Sequence, residues 1–97
     1  MQNVKRIEII TDAIDMREVS RLLEEIGVNG YTIIRDVVGK GERGAQTGDD
    51  LTDVFKNSYL LTTCAPEQVN TIVEILRPLL SQRGGICLVS DAQWVRH

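Results

Sequence analysis

The sequence predicts an α+β fold, a ferredoxin-like βαββαβ sandwich in which one four-stranded sheet carries both helices on a single face. Four runs rich in aliphatic and β-branched residues are separated by two stretches whose apolar residues recur at helical spacing. Their order is β-α-β followed by β-α-β, which a sheet of antiparallel neighbours accommodates. A length of 97 residues suits one domain, which we expect to span residues 1–97.

The first half of the chain supplies a strand and a helix. A β-rich apolar run predicts strand one over about residues 4–10. Asp15 is followed three residues later by Glu18, as in a capping box, so helix one is predicted over about residues 15–26. Gly27 then favours a left-handed cap at the end of this helix.

Three more strands and a second helix follow. β-branched residues predict strand two over residues 30–38 and strand three over residues 58–64. Apolar residues at helical spacing predict helix two over about residues 66–80, and Pro78 predicts a kink or an early end near Arg77. A last apolar run predicts strand four over residues 86–90. Because these strands are apolar on both sides, the sheet face without helices would expose apolar residues in a monomer. We therefore expect this face to pack against other subunits.

The stretch between strands two and three, residues 39–55, differs from the chain around it. It holds four of the eight glycines, and loops of this length are usually functional or disordered. Glycines let backbone N–H groups face an anion, and Lys40 and Arg43 add positive charge. We interpret it as a mobile ligand-sensing loop, with a disordered hairpin connection as the alternative. Its acidic part, residues 47–53, could ligate a hard cation or form a solvated charge run.

A second glycine-rich turn, Arg83-Gly84-Gly85, follows helix two. It could be a helix cap and nothing more. In this fold both glycine turns lie at strand ends, so an oligomer could bring them together across an interface. Backbone donors with nearby cations, here Lys40 and Arg83, would suit a di- or triphosphate.

Composition narrows the function further. The net charge of −3 disfavours electrostatic binding to nucleic acid. No segment approaches the roughly 18 apolar residues of a membrane span, and the N-terminus does not resemble a signal peptide, so we expect a cytoplasmic protein. Cys64 and Cys87 are expected to be buried, reduced thiols. We identify no nucleophile with a base and an orienting group, so we do not expect an enzyme.

Several short segments are similar to those of a known protein family. The chain opens with Ile7-Glu8-Ile9-Ile10, followed by the run from Val19 to Gly27 and by Gly30-Tyr31-Thr32. These segments resemble the opening of the PII signalling proteins. The family's long T-loop begins with a stretch similar to Gly39-Lys40-Gly41-Glu42-Arg43-Gly44, and its phosphate-binding B-loop lies where this chain has Arg83-Gly84-Gly85-Ile86. The resemblance covers about residues 5–96 and depends on the order and spacing of these short motifs.

The resemblance implies a homotrimer with three sheets around a central axis and adenine nucleotides bound in the clefts between subunits. Carried over to this sequence, it assigns the adenine contacts to Ile10, Thr32 and Thr62. It assigns the base of the T-loop to Gly39, Lys40 and Gly41. It assigns the phosphate contacts to Lys56, Arg83, Gly84, Gly85 and Arg96.

The chain also departs from the family pattern. Gly85 occupies the position of a B-loop lysine, and with fewer cations we expect ADP or AMP to be preferred to ATP. Glu42-Arg43 replaces an Arg-Gln pair of the T-loop, which argues against sensing of 2-oxoglutarate. The short loop and the ending from Val89 to Val95 resemble PII-like proteins linked to inorganic-carbon uptake and carboxysomes, some of which respond to bicarbonate.

The expected function is therefore that of a non-enzymatic signalling protein. It would bind ADP or AMP, together with bicarbonate, and switch its 39–55 loop to regulate a partner such as a transporter or a protein of carbon metabolism. Two alternatives remain open at this point. One is a trimeric metal-binding protein similar to the divalent-cation tolerance family, and the other is an amino-acid-binding regulatory module of similar topology.

Overall fold

A computed structural model describes residues 1–40 and 54–97 and has the predicted βαββαβ order. A single sheet, in the order β2-β3-β1-β4, has antiparallel pairing throughout. A 3-10 turn at Pro66–Gln68 leads into the second helix. The elements are β1 (Gln2–Thr11), α1 (Ala13–Ile26), β2 (Tyr31–Lys40), β3 (Val54–Cys64), α2 (Val69–Arg83) and β4 (Ile86–Trp94).

The core lies between one face of the sheet and the two helices. Alternate residues of β1 and β3 point to this face, as the two-residue period of a strand requires, and each helix contributes one apolar stripe. The side chains with no exposed surface are Ile7, Ile9, Val19, Leu23, Leu60, Ile72 and Leu76.

The opposite sheet face, which we call the open face, is apolar as well. One row across the four strands contains paired residues with large side chains, which are Ile34, Tyr59, Ile10 and Ile86. Ile34, Ile86 and, in the next row, Leu88 are each at least half exposed. This pattern agrees with the prediction that the sheet has apolar residues on both sides.

Helix α1 begins earlier than predicted. Its N-cap is Asp12, whose Oδ1 accepts a hydrogen bond of 2.7 Å from the backbone N–H of Asp15. The prediction that Asp15 starts the helix is therefore wrong. Asp12 and Asp15 are three residues apart, as are Asp15 and Glu18, so the sequence contains two possible capping pairs and the first one begins the helix. The predicted cap at Gly27 is confirmed, with φ at 91° and its N–H directed to the carbonyls of Leu23 and Glu24.

Helix α2 continues through Pro78 to Arg83, beyond the predicted end at about residue 80. Of the two outcomes expected near Arg77, a kink or an early end, the early end is therefore wrong. Proline removes one backbone N–H and its ring crowds the preceding turn. Here the packing on either side of it outweighs that cost, since Leu76 is fully buried and Leu79 and Leu80 lie against the core.

The strands are longer than predicted. β2 continues to Lys40 and pairs there with Val54, so the first and last residues of the predicted 39–55 loop belong to strands, and residues 41–53 lie outside the described part. β4 continues to Trp94, which pairs with Gln2. Backbone pairing extends these strands into polar sequence, where no apolar run marks them. A bulge interrupts the β2–β3 register between Ile34 and Val37.

Candidate functional site

The turn after α2 packs tightly onto the end of β1. Gly84 donates its N–H to the carbonyl of Leu80 at 2.8 Å, and its own carbonyl accepts a hydrogen bond from the Thr11 hydroxyl at 3.2 Å. Gly85 has φ at 147°, and a Cβ atom there would lie 3.1 Å from the carbonyl oxygen of Ile10. Only glycine allows this backbone conformation and this close approach without rearrangement.

An ion pair links the same turn to the start of α1. Arg83 donates Nε–H to Oδ1 of Asp15 at 3.1 Å. The Asp15 side chain is 7% exposed, whereas that of Arg83 is 55% exposed. Three segments therefore converge here: the end of β1, the first turn of α1 and the end of α2. The structure brings together Ile10, Arg83, Gly84 and Gly85 of the sequence-predicted set.

The residues expected around the adenine lie on different faces of the sheet. Ile10 pairs with Tyr59 on the open face, and Thr32 is exposed in the neighbouring row opposite Leu61. Thr62 lies on the helix-covered face, where it is 3% exposed and its hydroxyl donates to the Gly30 carbonyl at 2.6 Å. Within one protomer, the Thr62 hydroxyl is thus separated by the sheet from the Ile10 and Thr32 side chains.

The residues expected at the base of the loop lie on the β2–β3 ribbon. Gly39 pairs with Phe55, and the exposed Lys56 pairs with Val38. Both pairs lie beyond the last pair of β3 with β1, which joins Thr11 to Ser58. Lys40 ends β2, and Gly41 falls outside the described residues.

Arg96 lies at the other end of the protomer. Its Nη2 donates to Oε1 of Gln2 at 2.7 Å, next to the pair between Gln2 and Trp94. Gly85 immediately precedes β4, whereas Arg96 follows its last residue. A nine-residue strand is about 30 Å long, so Arg96 and Arg83 of the same protomer cannot contact one phosphate group.

The open face carries a polar cluster that sequence reasoning missed. Tyr59 donates its hydroxyl to Glu8 at 2.6 Å, Arg6 lies 3.6 Å from Glu8, and Arg6 Nε–H donates to the Ser90 hydroxyl at 3.1 Å. Hydrogen bonding to Glu8 is the main cause that raises the pKa of Tyr59, with burial second. The alternation of Arg6 and Glu8 along β1 was the available signal, since residues two apart share a face.

The described residues offer little for metal binding. Cys64 pairs with Lys5 and Cys87 with Ile9, so the two thiols lie at different levels of the sheet. Both are free, and burial raises the pKa of each thiol. Within residues 1–40 and 54–97, no three His, Cys, Asp or Glu side chains lie close enough to hold a metal ion. Over the same ranges, no helix is long and apolar enough to cross a membrane.

Two solved structures with appreciable sequence identity share this fold. The chain superimposes with a TM-score of 0.84 on CPII, a nitrogen regulatory PII-like protein from Thiomonas intermedia K12 bound to ADP, AMP and bicarbonate. The identity is 26%, over 98% of this chain and 96% of that one. A second structure of CPII, bound to ADP and bicarbonate, gives a TM-score of 0.81 and 29% identity over 97% and 90% of the two chains.

A more distant structure shows the fold alone. It is a putative PII-like signalling protein from Thermus thermophilus, with a TM-score of 0.75 and 22% identity over 97% of this chain and 91% of that one. No match was found among the curated proteins. The model of the family described as nitrogen regulatory protein P-II matches residues 4–97. The chain is therefore a member of the PII family.

Proposed function

We propose that this protein is a non-enzymatic signalling protein that binds ADP or AMP in clefts between the subunits of a homotrimer. The observation that carries the proposal is the tight Arg83-Gly84-Gly85 turn against the end of β1, with Arg83 held by a buried carboxylate. The turn combines a glycine backbone, which can approach a phosphate closely, with a guanidinium that can form charge-assisted hydrogen bonds. A PII-like protein of the same fold has been solved with ADP, AMP and bicarbonate.

The position of Arg96 supports a site shared between protomers. Arg96 and Arg83 lie at opposite ends of β4, so a site that uses both needs two copies of the chain. Thr62 does not add to this argument, because it is 3% exposed on the helix-covered face and its hydroxyl donates to the Gly30 carbonyl. The apolar open face gives the copies a surface on which to associate.

The regulatory output would come from the loop. Gly39, Lys40 and Lys56 lie on the ribbon that leads into residues 41–53, so a nucleotide at the ribbon could change the conformation of the loop. A ligand that binds one loop conformation more tightly shifts the population toward it and changes which partner protein can dock. Bicarbonate in the same cleft would couple reciprocally to nucleotide affinity, and inorganic-carbon metabolism is the context we propose.

Isothermal titration calorimetry tests the binding step. ADP, AMP, ATP and cyclic AMP should be titrated separately, with and without bicarbonate. We expect ADP and AMP to bind more tightly than ATP. By the resemblance to the family, Gly85 stands where a B-loop lysine would, so fewer cations are left to balance the charge of a third phosphate. Absence of binding by all four nucleotides would refute the proposal.

Arg83→Ala tests the assignment of the phosphate contact. A hydrogen bond to a charged group contributes about 1.5–3 kcal/mol, so ADP affinity should fall at least about tenfold. Arg21→Ala is the matched control, since Arg21 lies on α1 and pairs with Glu18 at 2.6 Å on the exposed side of that helix. Equal affinities for ADP in the two variants would contradict the role of Arg83.

A further inference from the structure

We propose that Asp15 is a positioning residue for nucleotide binding, which fixes the guanidinium of Arg83 so that it can contact the phosphates. The inference rests on the proposed function, because it assumes that Arg83 contacts a nucleotide. Asp15 would not contact the nucleotide itself. Its role would be to hold the arginine in one orientation before the nucleotide arrives.

The contact between the two side chains has the geometry for this role. Arg83 uses Nε, the nitrogen nearest the aliphatic stem, for its 3.1 Å hydrogen bond to Asp15. An anchor at Nε restricts the plane of the guanidinium, while the Nη groups at the end of the side chain lie farther from the backbone. Arginine recognises phosphate through this planar fork, so the direction of the plane decides which oxygen atoms it can reach.

Asp15 is itself firmly held. It lies in the first turn of α1, its backbone N–H is bonded to the N-cap Asp12, and its side chain is 7% exposed. A buried carboxylate needs a partner, because an unpaired buried charge is strongly unfavourable. Arg83 supplies that partner from 68 residues away in the sequence. The pair therefore connects a rigid helix start to the turn where we place the phosphates.

The negative charge of Asp15 has an opposite effect that the experiment must separate. A carboxylate near a phosphate repels it, so removing Asp15 could strengthen binding through charge alone. Asn and Leu distinguish the two effects, since both have about the shape of Asp. Asn lacks the charge but keeps an oxygen that can accept from Arg83 Nε–H, whereas Leu lacks both.

The readout is the ratio of ADP affinity to adenosine affinity, measured by calorimetry for each variant. Adenosine lacks phosphates, so a general structural disturbance would weaken both ligands together. We expect Asp15→Leu to weaken ADP about three- to tenfold with adenosine unchanged, as when one long side chain must be ordered on binding. Asp15→Asn should retain most of the ADP affinity. In a protein that already carries Arg83→Ala, adding Asp15→Leu should not lower the ADP affinity any further.

The controls separate this inference from the proposed function. Glu18→Ala is the control for loss of a carboxylate paired with an arginine. It should leave the ratio unchanged, because Glu18 pairs with Arg21 on the exposed side of α1 and not with Arg83. Asp15→Ala repeats the test if the leucine variant does not fold. The role of Asp15 would be overturned if Asp15→Leu and Asp15→Ala left the ratio of ADP affinity to adenosine affinity unchanged or raised it. If Arg83→Ala still weakened ADP binding in that case, the proposed function would stand. Failure of the wild-type protein to bind any adenine nucleotide would overturn both proposals.

Discussion

Gly85 is the residue whose identity the site depends on most directly. Its φ of 147° lies in a region that side chains disfavour, and the space around it is already occupied. A Cβ atom there would lie 3.0 Å from Cδ2 of Leu80 and 3.1 Å from the Ile10 carbonyl oxygen. The leucine side chain could move, but the carbonyl belongs to β1, which is held by strands on both sides and cannot move. Gly85 thus keeps the turn in contact with β1.

Gly85→Ala should therefore lower the free energy of unfolding by about 1–3 kcal/mol, the usual cost of a strained backbone. Urea unfolding followed by circular dichroism measures it. Gly30→Ala is the matched control, since a Cβ atom at Gly30 would have no neighbour within 4 Å. Equal stability of the two variants would mean that the Gly85 turn can move away from β1 at little cost.

Tyr59 gives the open face a measurable pH dependence. Its hydroxyl donates to Glu8, which raises the pKa of Tyr59 above the usual value of about 10. The folded protein then holds this proton more tightly than the unfolded chain. The resulting stability should be fully present below pH about 10 and should be lost as the pH rises through the raised pKa.

Ultraviolet titration of tyrosinate in a Tyr31→Phe background isolates Tyr59, since the chain has two tyrosines. The midpoint should lie above that of a model tyrosine, and Glu8→Gln should bring it closer to the model value. The background substitution is needed because Tyr31 donates to Glu24, which also raises the pKa of Tyr31. A midpoint that does not respond to Glu8→Gln would show that the hydrogen bond is absent in solution.

Sequence reasoning at this scale finds the residues that local patterns mark. Gly84 and Gly85 are recognisable as a turn because glycine next to a cation after a helix is a local pattern. Asp15 resembles a capping residue in the sequence, and its bond to Arg83 is not visible there because the two are 68 positions apart. The side of the sheet on which Thr62 lies is hidden for a similar reason, since an almost continuous apolar strand does not reveal which face is covered.

At the scale of elements, helix α2 shows where tertiary packing overrides local preference. Pro78 is exposed and lies within the helix, and the residues after it reach the core and then the Arg83 turn. The order of helices and strands was predictable because each has a clear apolar period. The ends were not, because they depend on backbone pairing, as at Lys40 and Trp94, or on packing, as at Pro78.

Pro78→Ala should raise the free energy of unfolding by about 1 kcal/mol or more. Alanine restores a backbone hydrogen bond and removes the crowding of the preceding turn, and the exposed position loses no core packing. Thermal unfolding measures the change. Pro66→Ala is the control, since Pro66 begins the 3-10 turn, where its missing N–H costs little. A less stable Pro78→Ala variant would indicate that the ring makes packing contacts that outweigh its cost.

At the scale of the whole molecule, the open face is the surface on which we propose that copies of the chain associate. It combines exposed apolar residues such as Ile34, Ile86 and Leu88 with the Arg6–Glu8–Tyr59 cluster. The apolar residues favour burial against another sheet, and the polar cluster restricts which alignment leaves its charges paired. A small domain also gains stability from association, because alone it buries a modest fraction of its surface.

Leu88→Lys should therefore convert a trimer into monomers. Leu88 is 55% exposed on β4 and pairs with Glu8, so a lysine there finds an opposite charge within the protomer and should not prevent folding. In a packed trimer, however, the ammonium group would have to leave water. Size-exclusion chromatography with light scattering should give three times the mass of the chain for the wild-type protein and one chain mass for the variant. Ile75→Lys, at a 38% exposed position on α2, should remain trimeric. A Leu88→Lys variant that remains trimeric would mean that the copies do not meet on the open face. A monomeric wild-type protein would mean that they do not associate at all. A nucleotide site that combines Arg83 with Arg96 would then have no second protomer to complete it.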